Sequence, residues 1–252
     1  MKAAKLVSLV SINIFTLLSF SVFSRDSVLH DRLTDPLEMD DLVSFSYSNK
    51  GIDASFGHVF EDNSITKRSI LIKGQGINNY NSLNEFNLIY RNYNKKNGYG
   101  TNLEISYNFE ADNRAEESSE ISYGIFKELI QSHNVRVYAE AGLGVKIENN
   151  PVDSGDIGYT IPGTYGYTGF YSSFLISERF ALEINPFVTY ALSGSNSYLE
   201  NAYGNAHRAR VTTDINVKYA LSEDMQLKLS SSFELGTPFD ESKFSIVFTH
   251  FY

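Results

Sequence analysis

From Tyr99 to Glu110 the chain alternates without a break. Tyr99, Thr101, Leu103, Ile105, Tyr107 and Phe109 fall on one side, and Gly100, Asn102, Glu104, Ser106, Asn108 and Glu110 on the other. Successive side chains of an extended strand point to opposite faces, so a period of two makes one apolar surface and one wet surface. A helix would scatter both sets around its circumference. The pattern returns over 135–148, where Val135, Val137, Ala139, Ala141, Leu143, Val145 and Ile147 oppose Arg136, Tyr138, Glu140, Lys146 and Glu148. Over 180–190, Phe180, Leu182, Ile184, Val188 and Tyr190 oppose Ala181, Glu183, Asn185 and Thr189. Over 208–221, Val211, Ile215, Val217, Tyr219 and Leu221 oppose Arg210, Asp214, Asn216 and Lys218.

Extended along the chain, this periodicity predicts twelve strands: 42–49, 52–60, 65–73, 84–93, 99–110, 119–130, 135–148, 164–176, 180–192, 208–221, 225–236 and 243–252. The second and third are weakest, because the third changes phase around Ile70, Leu71 and Ile72, and ten strands is the alternative count. Alternating strands of about 9–11 residues or more are what a tilted strand needs to cross a bilayer. The wet faces carry carboxylates that a packed sandwich core would not accept. The expected fold is therefore all-β: a single closed antiparallel transmembrane β-barrel, with apolar faces toward lipid and ionised faces toward a lumen. The competing architecture is a soluble β-sandwich or lipocalin-like barrel, which turns its apolar face inward.

The links alternate in length from the third strand onward. Those at 61–63, 94–98, 131–134, 177–179 and 222–224 are short, and those at 74–83, 111–118, 149–163 and 193–207 are long. Short periplasmic turns and long outside loops have this rhythm. The first link, Asn49 to Gly51, should be an outside loop yet is short.

Ahead of the strands, Lys2 and Lys5 precede an apolar, serine-diluted run from Leu6 to Phe23. A charged start, an apolar middle and small residues form the layout of a secretory signal peptide, here 1–24 with cleavage between Ser21 and Ser24. An N-terminal membrane anchor is the alternative. Residues 25–40, with His30, Asp35 and Pro36, then form either a periplasmic lead or a short plug entering the lumen, and the barrel occupies 41–252. Beyond the leader no apolar run is long enough to span a bilayer as a helix.

Composition narrows the chemistry. The chain has no cysteine, which removes disulfides, thiol catalysis and zinc–thiolate sites. Its net charge is −9 with no dominant basic patch, so nucleic acid is not an expected partner. Seventeen tyrosines and eighteen phenylalanines suit strands and membrane interfaces.

The final stretch 243–252, KFSIVFTHFY, resembles the terminal strand of Gram-negative outer-membrane β-barrels, which ends on an aromatic with apolar residues at alternate positions before it. Phe244, Ile246, Phe248 and Tyr252 match, while the last residue is usually Phe and His250 stands where an apolar residue is commoner. The resemblance implies an outer-membrane location, insertion by the barrel assembly machinery, and lipid and lipopolysaccharide as surroundings. OmpA-like, opacity-like and small oligosaccharide-channel types all remain compatible.

Twelve strands about 4.8 Å apart and tilted about 40° close into a cylinder roughly 24 Å across at the backbone, against about 16 Å for eight strands. The predicted lumen side chains include Arg91, Glu104, Arg136, Glu140, Lys146, Glu183, Arg208, Arg210, Asp214 and Lys218, with Glu85, Glu128, Lys228 and Glu234. Mixed signs point to cross-lumen ion pairs that narrow or plug the bore. A pore for a small polar solute is the other expectation, since one-sided linings mark ion-selective channels. Arg208 and Arg210 either form a basic collar or pair with Glu183 on the adjacent strand, the second being favoured. Lys127 shares the apolar phase and is expected to snorkel to the periplasmic rim.

No cofactor and no reaction are expected. Of five histidines, His207 alone falls near the outer mouth, with Asp153, Asp156 and Asp240 in other outer loops. No Gly-x-Ser-x-Gly turn or His-Glu-x-x-His motif accompanies them. A hydrolase acting on lipid or lipopolysaccharide at that mouth is the alternative function. Asp153 and Asp156 are too few for calcium, which wants six to eight oxygens.

Overall fold

Each strand pairs with its sequence neighbour, and the last pairs with the first, in a computed structural model that describes residues 27–77, 84–109, 118–151, 157–203, 208–235 and 242–252. The strands are β1 (Leu42–Ser48), β2 (Gly51–Asp62), β3 (Thr66–Ile77), β4 (Glu85–Asn94), β5 (Tyr99–Asn108), β6 (Ser118–Gln131), β7 (Val135–Pro151), β8 (Ile157–Ser177), β9 (Phe180–Gly194), β10 (Ala209–Ala220), β11 (Met225–Glu234) and β12 (Lys243–Phe251). Helix α1 (Ser27–Thr34) precedes them and α2 (Asn196–Tyr203) lies between β9 and β10. Closure is antiparallel, from Leu42 opposite Phe251 to Ser48 opposite Ser245. A closed sheet leaves no unpaired strand edge, which hydrocarbon would penalise.

The count is twelve, not ten. The stretch that seemed to change phase is the continuous strand β3. Ser69 and Leu71 point inward, and Ile70 and Ile72 lie across from outward positions of β2 and β4. Leu71 joins Leu42, Ile89 and Phe251 in an apolar cluster inside the barrel, so an inward leucine had mimicked a slip. The predicted outer links are partly regular structure. Residues 149–151 pair with 157–159 and lengthen the β7–β8 hairpin, β3 reaches Ile77, and 193–207 holds the end of β9 and α2. Polar and Gly-containing sequence reads as loop, yet a hairpin projecting past the bilayer needs no apolar face. The first link is a two-residue turn at Asn49 and Lys50, followed by Gly51 at φ 129°.

The outer surface is apolar. Tyr47, Leu143 and Ile161 are 72%, 63% and 66% exposed. Exposed aromatics stand at both ends: Phe60, Tyr99 and Tyr252 where β1 begins and β12 ends (the near end), and Tyr47, Phe109 and Tyr190 at the far end. This is the reverse of a soluble sandwich or lipocalin-like barrel. Among the described residues no helix is long and apolar enough to cross a membrane.

Inside the near end lies the segment before β1. Helix α1 stops ahead of Pro36, because the residue preceding a proline disfavours helical geometry. The Asp35 carboxylate then accepts the Leu37 and Met39 amides at 3.0 and 3.1 Å, with Glu38 between them at φ 51°. This turn aims alternate side chains at the wall. Leu33 packs with Ala181 and Ala220, and Leu37 and Met39 pack with Phe126 and Tyr138. Leu33, Leu37 and Met39 are 1–2% exposed. Each such burial contributes about 1.5–3 kcal/mol relative to exposure. The predicted signal peptide, 1–24, lies outside the described residues.

Candidate functional site

The lumen is divided by charge. On its near half, wall cations turn to the N-terminal segment. Lys218 of β10, 1% exposed, pairs with Glu183 of β9 and donates to the Asp35 carbonyl at 3.1 Å. Arg91 of β4 donates to the Leu37 carbonyl at 2.6 Å. Lys228 of β11 pairs with Glu38, and Lys67 of β3 with Asp40 at 3.1 Å. Arg136 of β7 lies 3.5 Å from Asp31 and 3.8 Å from Glu128. Burial would push the Glu38 carboxyl up, but Lys228, Lys73 and Lys218 outweigh it and hold it well below the usual carboxylate range. For Asp40 burial wins: its carboxyl is pushed up, with Asp35 adding to the effect and Lys67 opposing it.

Three ion pairs thus tie wall to segment, Lys67–Asp40, Arg136–Asp31 and Lys228–Glu38, while Lys218–Glu183 and Arg136–Glu128 stay within the wall. Glu183 does not pair with Arg208 or Arg210. It sits opposite Asn216, which donates to it at 3.0 Å, whereas Arg210 sits opposite Thr189. At about 3.3 Å per residue, that offset puts Arg210 roughly 20 Å away along the sheet. Arg208 is exposed at the far rim, just before β10.

Described residues line three adjoining cavities. The first, about 300 Å³, follows β1, β2, β11 and β12, where Ser44, Ser46, Ser55, Ser230, Ser232 and Ser245 leave room beside Glu38 and Asp40. Lys243 bridges Asp53 and Gln75 there at 2.8 and 3.0 Å. The second, also about 300 Å³, is lined by Glu104, Glu120, Glu140, Asp214 and Arg210 with Tyr165, Tyr167, Tyr171 and Phe187. The third, about 250 Å³, lies beside Tyr198 and Tyr203 of α2, with Lys146, which pairs with Glu148 at 2.6 Å. Asp214 borders the first two, and Glu120, Tyr165 and Arg210 border the second and third. Small hydroxyls open one wall while aromatic rings fill the other. At the far mouth α2 folds inward until Tyr198 rests on Gly163 and Gly194, where added Cβ atoms would stand 2.1 and 2.4 Å from its ring.

No protein-family model matches the chain, and neither does any curated protein. Solved structures do. The NanC porin matches with a TM-score of 0.51 at 10% identity, over 84% of this chain and 98% of the porin. The fold is that of an outer-membrane β-barrel. Weaker likenesses reach the KdgM porin solved with disordered oligogalacturonate (TM-score 0.45, 6% identity, 84% and 99% covered). Another is the translocator domain of the autotransporter NalP from Neisseria meningitidis (TM-score 0.47, 10% identity, 84% and 86% covered).

Within this closed twelve-stranded barrel, Arg91, Glu140, Glu183 and Lys218 are buried in the lumen, Arg136 turns toward the segment, and Glu104, Lys146, Arg210 and Asp214 line its cavities. Phe244, Ile246, Phe248 and Tyr252 are exposed on the outside of β12. Lys127 reaches the Asn97 carbonyl in a near-end turn, 4.1 Å over the Tyr99 ring. His207, Asp153, Asp156 and Asp240 lie outside the described residues, and among those described no three His, Asp or Glu side chains are grouped to hold a metal. Sequence periodicity missed Asp31, Glu38, Asp40, Lys67 and Lys73. An acidic, leucine-bearing stretch ahead of a barrel with inward lysines was the available signal.

Proposed function

We propose that the chain is a narrow porin-like channel of the outer membrane that admits small polar solutes and performs no reaction. The run of adjoining polar cavities from the far mouth to the serine-rich wall beside the N-terminal segment carries this conclusion. The near end, where β1 begins, β12 ends and the short turns lie, then faces the periplasm, and α2 faces outside. The signal-peptide pattern, the apolar belt and the resemblance of β12 to an assembly signal support export, lipid contact and insertion by the assembly machinery. The segment at 27–40 and α2 restrict the bore from opposite ends.

Planar-bilayer recording of purified, refolded protein tests this. Small discrete conductance steps are expected, growing when residues 25–40 are deleted. Absence of steps from both proteins would refute the channel and leave a structural surface barrel, which the buried Leu33, Leu37 and Met39 favour. Hydrolysis of phospholipid or lipid A that His207→Ala abolishes would replace both with an enzyme.

A further inference from the structure

The outer half of the lumen carries an unequal charge. Glu104, Glu120, Glu140 and Asp214 border the second cavity, with Glu85 at its edge, and Arg210 is the cation among its described lining. Unequal charge alone makes no site. Glu140 and Asn102, 2% and 3% exposed, both line this cavity. Glu140 Oε1 accepts the Tyr167 hydroxyl at 3.0 Å and Asn102 Nδ2 at 3.3 Å. Glu140 Oε2 and Asn102 Oδ1 are buried without a partner.

Arg91 Nε, on β4 across from Asn102, is also buried without a partner and is a donor, while Arg91 Nη1 is held by the Leu37 carbonyl; the two acceptors still outnumber it, so what completes the site is a further donor. The surrounding carboxylates ask that it be positive. Tyr165, Tyr167, Tyr171 and Phe187 form a connected aromatic wall, with successive ring centroids 6.3 Å (Tyr165–Tyr167), 6.5 Å (Tyr167–Phe187) and 5.0 Å (Phe187–Tyr171) apart. Aromatic faces attract cations and cover apolar carbon. A bare metal ion would leave that wall unused, and the described residues group no three metal ligands. At about 300 Å³ the cavity sits at the small end of ligand-sized sites.

We propose that this chamber binds a small organic cation with a primary ammonium head, which donates to Glu140 Oε2 and Asn102 Oδ1 while its carbon stem lies on the tyrosine wall. The site deepens the channel assignment, which supplies access through the adjoining cavity beneath α2. Binding itself does not require that current flow.

Calorimetric titration of the refolded barrel in detergent with butylammonium chloride, and with sodium butyrate as the oppositely charged probe, tests the proposal. Saturable butylammonium binding is expected, with no butyrate binding. Glu140→Gln, close in shape to the original, should weaken butylammonium at least tenfold. Asp214→Asn, at a water-facing position, should weaken it several-fold and decides the matter if Glu140→Gln fails to fold on a heat-modifiability gel. No saturable heat, equal binding of butyrate, or unchanged affinity in the folded variants would overturn the site. Binding without conductance would remove the channel and keep the site; conductance without binding would do the reverse.

Discussion

Replacing Lys218 by methionine takes one charge out of a place that water does not reach. Lys218 and Glu183 are each 1% exposed, and the ammonium is shared between the Glu183 carboxylate and the Asp35 carbonyl. The stem of the lysine is nearly matched by methionine, so little packing is lost. What remains is a buried carboxylate whose described partner is the Asn216 amide at 3.0 Å. Breaking a buried pair from one side costs about 3–5 kcal/mol, because the surviving charge is uncompensated. Losing the hydrogen bond to Asp35 loosens the N-terminal segment as well, for a further ~1 kcal/mol. The companion variant Glu183→Gln, combined with Lys218→Met, removes both charges and should recover most of the loss. Urea unfolding of the refolded barrel in lipid vesicles, read by heat-modifiability, measures all three variants. Lys218→Met within about 0.5 kcal/mol of the parent, or a double variant as unstable as the single, would refute a buried, mutually dependent pair.

Three further outcomes follow from the same interior. Leu37→Asp puts a carboxylate into the Phe126 and Tyr138 cluster and should undock the segment at a cost of several kcal/mol, making residues near 37 cleavable by added protease in the folded barrel. Glu38 carries a lowered carboxyl value, so its contribution to docking is complete above about 4.5, its ordinary value, and fades as pH falls below it. Asp40, shifted upward, opposes part of that fading, and protease protection of the segment should decline in acid for the parent but much less for Glu38→Gln. Gly163→Leu should push Tyr198 off the inner wall, since even a Cβ there would stand 2.1 Å from its ring; a cysteine introduced at the neighbouring α2 position 199 should then react faster with a water-soluble thiol reagent than it does with Gly163 in place.

Much of the barrel is legible because a lipid-facing strand has one simple obligation, apolar side chains at every second position. Val135 to Glu148 meets it, and β7 begins at the predicted residue. The obligation lapses in two places. Past the bilayer it no longer applies, so the outer ends of β7 and β8 read as loop. Inside the near end the lumen is dry enough for Leu71, Ile89 and Phe251, which look out of phase when every inward residue is expected to be polar. The lumen pairings depend on register. Glu183 meets Lys218 rather than Arg210 because the register of β9 against β10 sets Asn216 opposite Glu183, and a strand pattern does not encode that offset. The N-terminal segment stayed ambiguous because its acids suit solvent and a basic wall equally well.

The chain has no cysteine of its own, so single cysteines can be placed along β7 and labelled with a fluorophore. Quenching by brominated lipid in vesicles then reports which positions meet acyl chains. Strong quenching is predicted at 143 and 145 and almost none at 138, 140 and 146. Quenching that is strongest at 140 and 146, or that shows no alternation, would contradict a barrel whose apolar face is turned to the membrane.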